Sequence, residues 1–343
     1  MAPREYTPAL DNDMSWAGVF LFSKILIGGV KMKVLVTEKI DGRGIELMRK
    51  RGLQVDEKLN LERKELLDII GNYDALIVRS ATKVDRELLD SASKMKVVGR
   101  AGNGMDNIDV KYAVERKIEC INAPDSNSIA AAEHTIALLL AVCRNLPKGD
   151  STLRDGLWER SRLMGVELYD KTVGIVGLGR IGKMVAARLQ AFGMRTVAYD
   201  PFIPELDMAR LNVKKVDTID ELMKICDFIT VHMPKTKDTI GLIGEEELKL
   251  AKKDLRIINC ARGGLVDENA LYTALMEGRI AGAGIDVFVE EPCTGNPLLT
   301  LDNVVATPHL GASTREAQVK AGIMTAEKIA AILLGEEEMT GTR

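Results

Sequence analysis

Residues Lys171–Asp200 read KTVGIVGLGRIGKMVAARLQAFGMRTVAYD, and the order of residue types within them decides the fold. Thr172–Val176 is an apolar run of the kind that forms a strand buried on both faces. Gly177-Leu178-Gly179-Arg180-Ile181-Gly182 follows at once, and Met184, Val185, Leu189 and Phe192 then recur at helical spacing until Gly193 stops the pattern. A second strand, Thr196–Tyr199, ends at Asp200. In such a unit Gly177 makes the tight turn, Gly179 lets a pyrophosphate approach the backbone, and Gly182 packs helix on strand. The helix N-terminus offers free N–H groups and partial positive charge to the diphosphate. Asp200 lies 18 residues past Gly182, near the roughly 20 expected of the acid that holds the adenosine ribose. A carboxylate there repels a 2′-phosphate, which favours NAD over NADP.

Outward from this unit, short apolar runs alternate with helical patterns. Lys33–Thr37, Leu53–Asp56, Ala75–Val78, Val97–Gly99 and Ile118–Asn122 read as strands before it, with helices such as Leu61–Ile70 and Asp85–Ala92 between them. Phe228–His232, Arg256–Cys260, Gly282–Val287 and Val304–Thr307 read as strands after it. This alternation predicts α/β architecture with doubly wound parallel sheets. Ser128–Leu146 is a helix apolar almost all round, which places it inside a large domain or against a second subunit. Thr314–Leu334 is a closing helix that ends at Gly335.

A chain of 343 residues has length for about two domains. A net charge of −3 gives no reason to expect nucleic acid as a partner. The five cysteines are odd in number and never form CxxC, so neither a disulfide framework nor a metal site is expected, in keeping with a reducing cytoplasm. Met1–Lys31 contains an apolar run, Trp16–Val30, interrupted by Lys24, too short and broken for a membrane span. It lacks the basic start and cleavage site of a signal peptide. The globular pattern begins at Met32, and the residues before it are expected to lie outside the fold.

Ligands of parallel α/β sheets bind outside the carboxyl ends of the strands. At those ends stand His232-Met233-Pro234, Ala261-Arg262-Gly263-Gly264, Glu290-Glu291-Pro292 and Pro308-His309-Leu310-Gly311. Oxidising an alcohol with NAD requires a base for the hydroxyl proton and, for an acid substrate, a cation for its carboxylate. Histidine titrates near neutrality and suits the first role. The arginine fork suits the second. Of the three histidines, His134 sits mid-helix among apolar residues as a buried or interface side chain, and His232 either lines the cofactor or is structural. His309 lies in a loop with no packing reason to be histidine. Arg262 precedes two glycines that would let a ligand approach, and one of Glu290 and Glu291 is expected only to be solvated. Arg79-Ser80 and Arg100-Ala101-Gly102-Asn103 lie past earlier strand ends, facing a cleft between domains.

VRSATKVD (78–85), VVGRAGNGMDNID (97–109), GIVGLGRIG (174–182), NCARGGLVDE (259–268), GIDVFVEEP (284–292) and TPHLGAST (307–314) together resemble the D-isomer-specific 2-hydroxyacid dehydrogenases, over about Met32 to Gly335. The first two, with Trp158-Glu159-Arg160, resemble the branch that acts on 3-phospho-D-glycerate. The resemblance implies that His309 is the acid/base, that Glu291 hydrogen-bonds it, and that Arg262 orients the substrate's carboxylate and carbonyl. It places cofactor contacts at Asn103, Gly177, Gly179, Arg180, Ile181, Gly182, Asp200, His232, Met233, Pro234, Cys260, Ala261, Arg262, Asp286, His309, Gly311 and Ala312. Arg79, Ser80, Arg100, Gly102 and Asn103, with Arg160 from the neighbouring subunit of a dimer, would hold the substrate. Asn103 and Met233 stand where the relatives have threonine, and Met233 would offer only its backbone.

The architecture implied is a Rossmann NAD-binding domain (128–312) inserted in a discontinuous, flavodoxin-like substrate domain (32–127 plus 313–335). The helix from Ser128 and an arm to about Asp170 would form the interface of a homodimer or homotetramer. The activity implied is NAD-linked oxidation of 3-phospho-D-glycerate in the cytoplasm. The alternatives are a glyoxylate or hydroxypyruvate reductase of the same family and a non-catalytic NAD-sensing adaptor. Many relatives continue into a serine-binding domain; since this sequence stops at Arg343, no feedback inhibition by serine is expected.

Overall fold

Apolar runs of four or five residues are too short for helices but fill a parallel sheet covered on both faces, and the computed structural model, which describes residues 31–336, builds two such sheets. The first holds β1 (Lys33–Val36), β2 (Gln54–Glu57), β3 (Ala75–Val78), β4 (Val97–Arg100) and β5 (Glu119–Asn122), all parallel in the order β2-β1-β3-β4-β5. Helices α1 (Gly42–Lys50), α2 (Arg63–Ile70), α3 (Arg86–Ser91) and α4 (Val110–Glu115) make the crossovers. Side chains alternate between the faces, as the pleat requires. Val34, Val36 and Ile77 join a core with Ile45 and Met48 of α1, whereas Leu35, Leu76 and Val78 join Leu66, Leu88 and Leu89 on the other side. Helix starts are specified locally: Asp85 accepts from Leu88 N and Asp109 from Tyr112 N, capping α3 and α4.

The chain leaves this sheet through residues 123–127 and enters α5 (Ser128–Cys143) and α6 (Leu146–Arg154). The second sheet holds β6 (Thr172–Val176), β7 (Arg195–Tyr199), β8 (Lys214–Lys215), β9 (Phe228–Val231), β10 (Arg256–Asn259), β11 (Gly282–Ile285) and β12 (Val304–Ala306). They are parallel in the order β12-β11-β10-β9-β6-β7-β8. Its helices are α7 (Arg180–Ala191), α8 (Glu205–Ala209), α9 (Ile219–Ile225), α10 (Glu245–Lys249) and α11 (Glu268–Met276). The strand order reverses between β6 and β9, the switch point at which α/β sheets bind ligands. The chain then recrosses, and α12 (Arg315–Leu334) returns to the first sheet, where Ala326, Ile329, Ala330 and Leu333 pack with Ile45 and Met48. Thr314 caps α12 and Gly335, at φ +68°, closes it in the left-handed conformation.

One expectation changes. The helix from Ser128 ends at Cys143, because Asn145 turns left-handed at φ +50°, and Pro147 opens a second helix. The apolar pattern of α5 also has a reason within the chain. Leu138, Leu139 and Val142 share a core with Val173 of β6, Leu189 of α7 and Ile258 of β10. Ile129 at the start of α5 is exposed, and on the arm that follows Leu153, Trp158 and Met164 face solvent as well. Among the described residues no single helix is long and apolar enough to cross a membrane; α5 and α6 reach that length only together, across a 61° bend. The segment Met1–Val30, expected to precede the fold, falls outside the described residues.

Candidate active site

The glycine turn after β6 is shaped by backbone contacts. Gly177 has φ +94°, and a Cβ on it would stand 2.8 Å from the carbonyl oxygen of His232. Only glycine combines that conformation with that approach. Gly182 rests against the Gly177 carbonyl, packing α7 on β6. Gly179, the N-cap of α7, faces open space, with nothing within 4 Å of its Cβ direction. Asp200 is nearly buried; its two oxygens accept from Leu178 N at 2.8 Å and Phe202 N at 3.0 Å, and each keeps a lone pair for a further donor. Arg180, at the start of α7, pairs with Asp125 of the 123–127 crossing at 2.7 Å.

A cavity of about 260 Å³ opens beside this turn, walled by Asn103, Asn127, Ala131, Ile181, His232, Met233, Pro234, Cys260, Ala261, Arg262, His309, Gly311 and Ala312. All but Asn127 and Ala131 were expected there. Burial pushes the Cys260 thiol up to about 12, so it stays protonated. Burial pushes His232 down to about 4, and its Nε2 lies 2.9 Å from Thr230 Oγ1. The ring is therefore neutral at physiological pH. The unfolded chain takes up this proton below about pH 6.5 while the folded chain does not, so stability should fall between about pH 6.5 and 4. Urea titrations at pH 7 and pH 5 should show this loss, and His232→Gln should reduce it.

His309 has φ +54°, unusual for a residue with a side chain, and its N–H donates to the carbonyl oxygens of Asp286 and Thr307. Its Nδ1 lies 2.7 Å from Glu291 Oε2. A carboxylate only accepts, so Nδ1 carries the hydrogen, and in the neutral ring Nε2 keeps the lone pair. Glu291 is itself oriented, its Oε1 accepting from Phe288 N at 3.0 Å. Among the described residues Glu290 makes no such contact, and no histidine, arginine or lysine lines the separate hollow of about 690 Å³ that it borders.

Asp286, expected at the cofactor, is instead fully buried beneath the His309 loop. Its Oδ1 accepts from Thr307 Oγ1 at 2.6 Å and Leu310 N at 2.7 Å, its Oδ2 from Gly311 N at 2.8 Å, and His134 Nε2 stands 3.2 Å from Oδ1. Burial alone would raise this carboxyl, but these donors outweigh it and hold it below the ordinary carboxylate range. His134 thus has a specific place: it ties α5 to the loop that presents His309.

A second cavity, of about 190 Å³, shares Asn127, His309 and Ala312 with the first and adds Arg79, Ser80, Arg100, Gly102 and Glu291. Glu38 organises its rim by accepting from the N–H groups of Arg79, Ala81 and Thr82. Among the described residues no carboxylate pairs with the side chain of Arg79 or Arg100. Burial, with Arg262 and Arg79 nearby, lowers the Arg100 guanidinium, and its buried Nε has no partner. Arg262 reaches Asp106 Oδ2 with Nε at 3.1 Å. Arg160, in the arm, lines neither cavity of this chain.

Sequence reasoning missed Asn127, whose buried Oδ1 lacks a donor among the described residues and which borders both cavities. Its only signal was its place just before a helix. The free N–H groups at Gly179, the spare lone pairs of Asp200 and the orphaned Asn127 acceptor at the inner cavity fit a nicotinamide dinucleotide, which offers phosphates, ribose hydroxyls and a carboxamide donor.

Residues 136–311 match the family model for the NAD-binding domain of D-isomer specific 2-hydroxyacid dehydrogenases. The chain is 51% identical to D-3-phosphoglycerate dehydrogenase of Methanocaldococcus jannaschii over 89% of this chain and 58% of that one. It is 49% identical to the enzyme of the same name from Archaeoglobus fulgidus over 87% and 56%, and so spans a little over half the length of these curated relatives. A crystal structure of a Thermus thermophilus protein superposes with a TM-score of 0.82 at 36% identity, covering 90% of this chain and 99% of that one. The chain belongs to the D-isomer-specific 2-hydroxyacid dehydrogenases and carries that family's NAD-binding domain.

Proposed function

We propose that this chain oxidises 3-phospho-D-glycerate to 3-phosphohydroxypyruvate with NAD, a reaction that feeds L-serine biosynthesis. The observation that carries the reading is one pair of adjoining cavities in which the His309–Glu291 pair faces Arg79, Arg100 and Arg262. Gly179, Arg180, Asp200 and the residues walling the inner cavity would hold the dinucleotide, whose nicotinamide supplies the hydride acceptor. His309 Nε2 removes the proton from the C2 hydroxyl as the C2–H bond breaks. Glu291 stabilises the resulting imidazolium through Nδ1. Arg262 binds the carboxylate with its planar fork, and Arg79 and Arg100 bind the phosphate end. The names of the archaeal relatives agree with this substrate.

The organisation that suits this chemistry is a discontinuous substrate domain (32–127 plus 313–335) around an inserted NAD-binding domain (128–312), with the cleft between them closing to exclude water. The exposed Leu153, Trp158 and Met164 support an arm that pairs two chains as a cytoplasmic homodimer, or two such pairs as a tetramer, bringing Arg160 to the neighbour's site. A glyoxylate or hydroxypyruvate reductase has no use for two unpaired arginines beside the acid/base, and an NAD-sensing adaptor none for His309, Glu291 and Arg262 together.

The deciding experiment follows NADH formation at 340 nm with 3-phosphoglycerate, D-glycerate and D-lactate in parallel. Turnover is expected with the phosphorylated acid and little with the others. Equal turnover of the unphosphorylated acids moves the chain to the reductase branch, and no turnover of any of them favours the adaptor.

A further inference from the structure

We propose that Asp106 is an internal stand-in for the substrate carboxylate: it holds the Arg262 guanidinium, and an incoming acid displaces it. The inference rests on the reading of Arg262 as the carboxylate clamp.

The two residues lie 156 positions apart, Asp106 in the loop after β4 of the first sheet and Arg262 in the loop after β10 of the second. Asp106 Oδ2 accepts from Arg262 Nε at 3.1 Å, while Nη1 donates to the Ala261 carbonyl at 2.7 Å. The guanidinium is therefore already aimed. Gly104 lets it lie there, since a Cβ at that position would collide with Nη2 and stand 2.7 Å from Asp106 Oδ2.

Charge gives the contact its purpose. Arg79 and Arg100 line the adjoining cavity, and three arginines sharing this space repel one another when no anion is present. Asp106 offsets one of those charges. It supplies the same functional group as a 2-hydroxy acid, so displacement exchanges like for like at the guanidinium. Exposure makes the exchange feasible: the Asp106 side chain is 61% exposed and that of Arg262 30%. A half-exposed pair is worth little and releases readily, unlike a buried one. Asp106 is thus a positioning residue that acts through Arg262 and does not touch the reacting atoms.

The test is a double-mutant cycle on oxalate binding to the full chain loaded with NADH, comparing the native protein, Asp106→Asn, Arg262→Gln and the double variant by calorimetry. Asp106→Asn should bind oxalate about three- to fivefold more tightly, the scale of a partly exposed ion pair. The gain should vanish when Arg262 is Gln. A gain that persists in the double variant shows a general field effect and overturns the proposal, as does an Asp106→Asn protein with native affinity while Arg262→Gln loses oxalate. An Arg262→Gln protein that binds oxalate like the native chain overturns the clamp assignment and the stand-in with it. Asp106→Ala repeats the cycle with the carboxylate truncated, and a merely structural role would lower its affinity.

Discussion

His309→Asn is expected to lower turnover by roughly 10²- to 10⁴-fold, the usual contribution of a positioned general base. Asparagine is close in size to the imidazole and tolerates the left-handed backbone that the loop imposes at φ +54°, so the fold should survive. What disappears is a ring nitrogen that can accept the hydroxyl proton and hold it beside the Glu291 carboxylate 2.7 Å away. NAD affinity, followed by quenching of protein fluorescence, should stay near native, because His309 is one of thirteen residues walling the inner cavity and the turn at Gly177–Gly182 and Asp200 are untouched. Turnover within a few-fold of native would remove His309 from the role.

Asp286→Ala should produce the largest loss of stability, about 3–5 kcal/mol in urea titration, and a marked fall in turnover as well. The side chain is fully buried, and its removal strands the N–H groups of Leu310 and Gly311 and leaves Thr307 Oγ1 and His134 Nε2, 3.0 Å apart, with only each other. Unsatisfied buried donors cost more than the bonds they once made contributed. Asp286→Asn keeps one accepting oxygen and should fall between the two. If Asp286→Ala unfolds at native urea concentration, the carboxylate does not anchor the loop.

Much of this was legible because it is written in local chemistry. β6 spans the residues read from the apolar run, and α12 begins one residue after its expected start because Thr314 serves as the cap. Strands were read one or two residues too long at His232, Cys260 and Val287, since composition does not change where the ladder ends and the loop begins. The β8 pairing, two lysines long, has no periodicity to read. The break at Asn145 was obscured by Pro147, which marks the end of one helix and the start of another equally well.

At the site, His309, Glu291 and Arg262 were visible as polar residues at strand ends. Asp286, Asn127 and Asp106 were not assigned their parts, for a common reason. Each acts on a residue brought near by the tertiary fold: Asp286 through the 307–311 loop, Asn127 between two cavities and Asp106 across to the other sheet. No spacing along the chain encodes such meetings.

The two sheets are joined by two crossings, residues 123–127 going out and the chain before α12 coming back. A single tether would let one half swivel about the other in any direction. In the closure proposed above, two tethers would act like the paired pins of a gate, leaving one swing axis. Asn127 and Ala312 sit at those pins and also line both cavities, so lengthening either crossing by one residue would misalign the gate and its lock together.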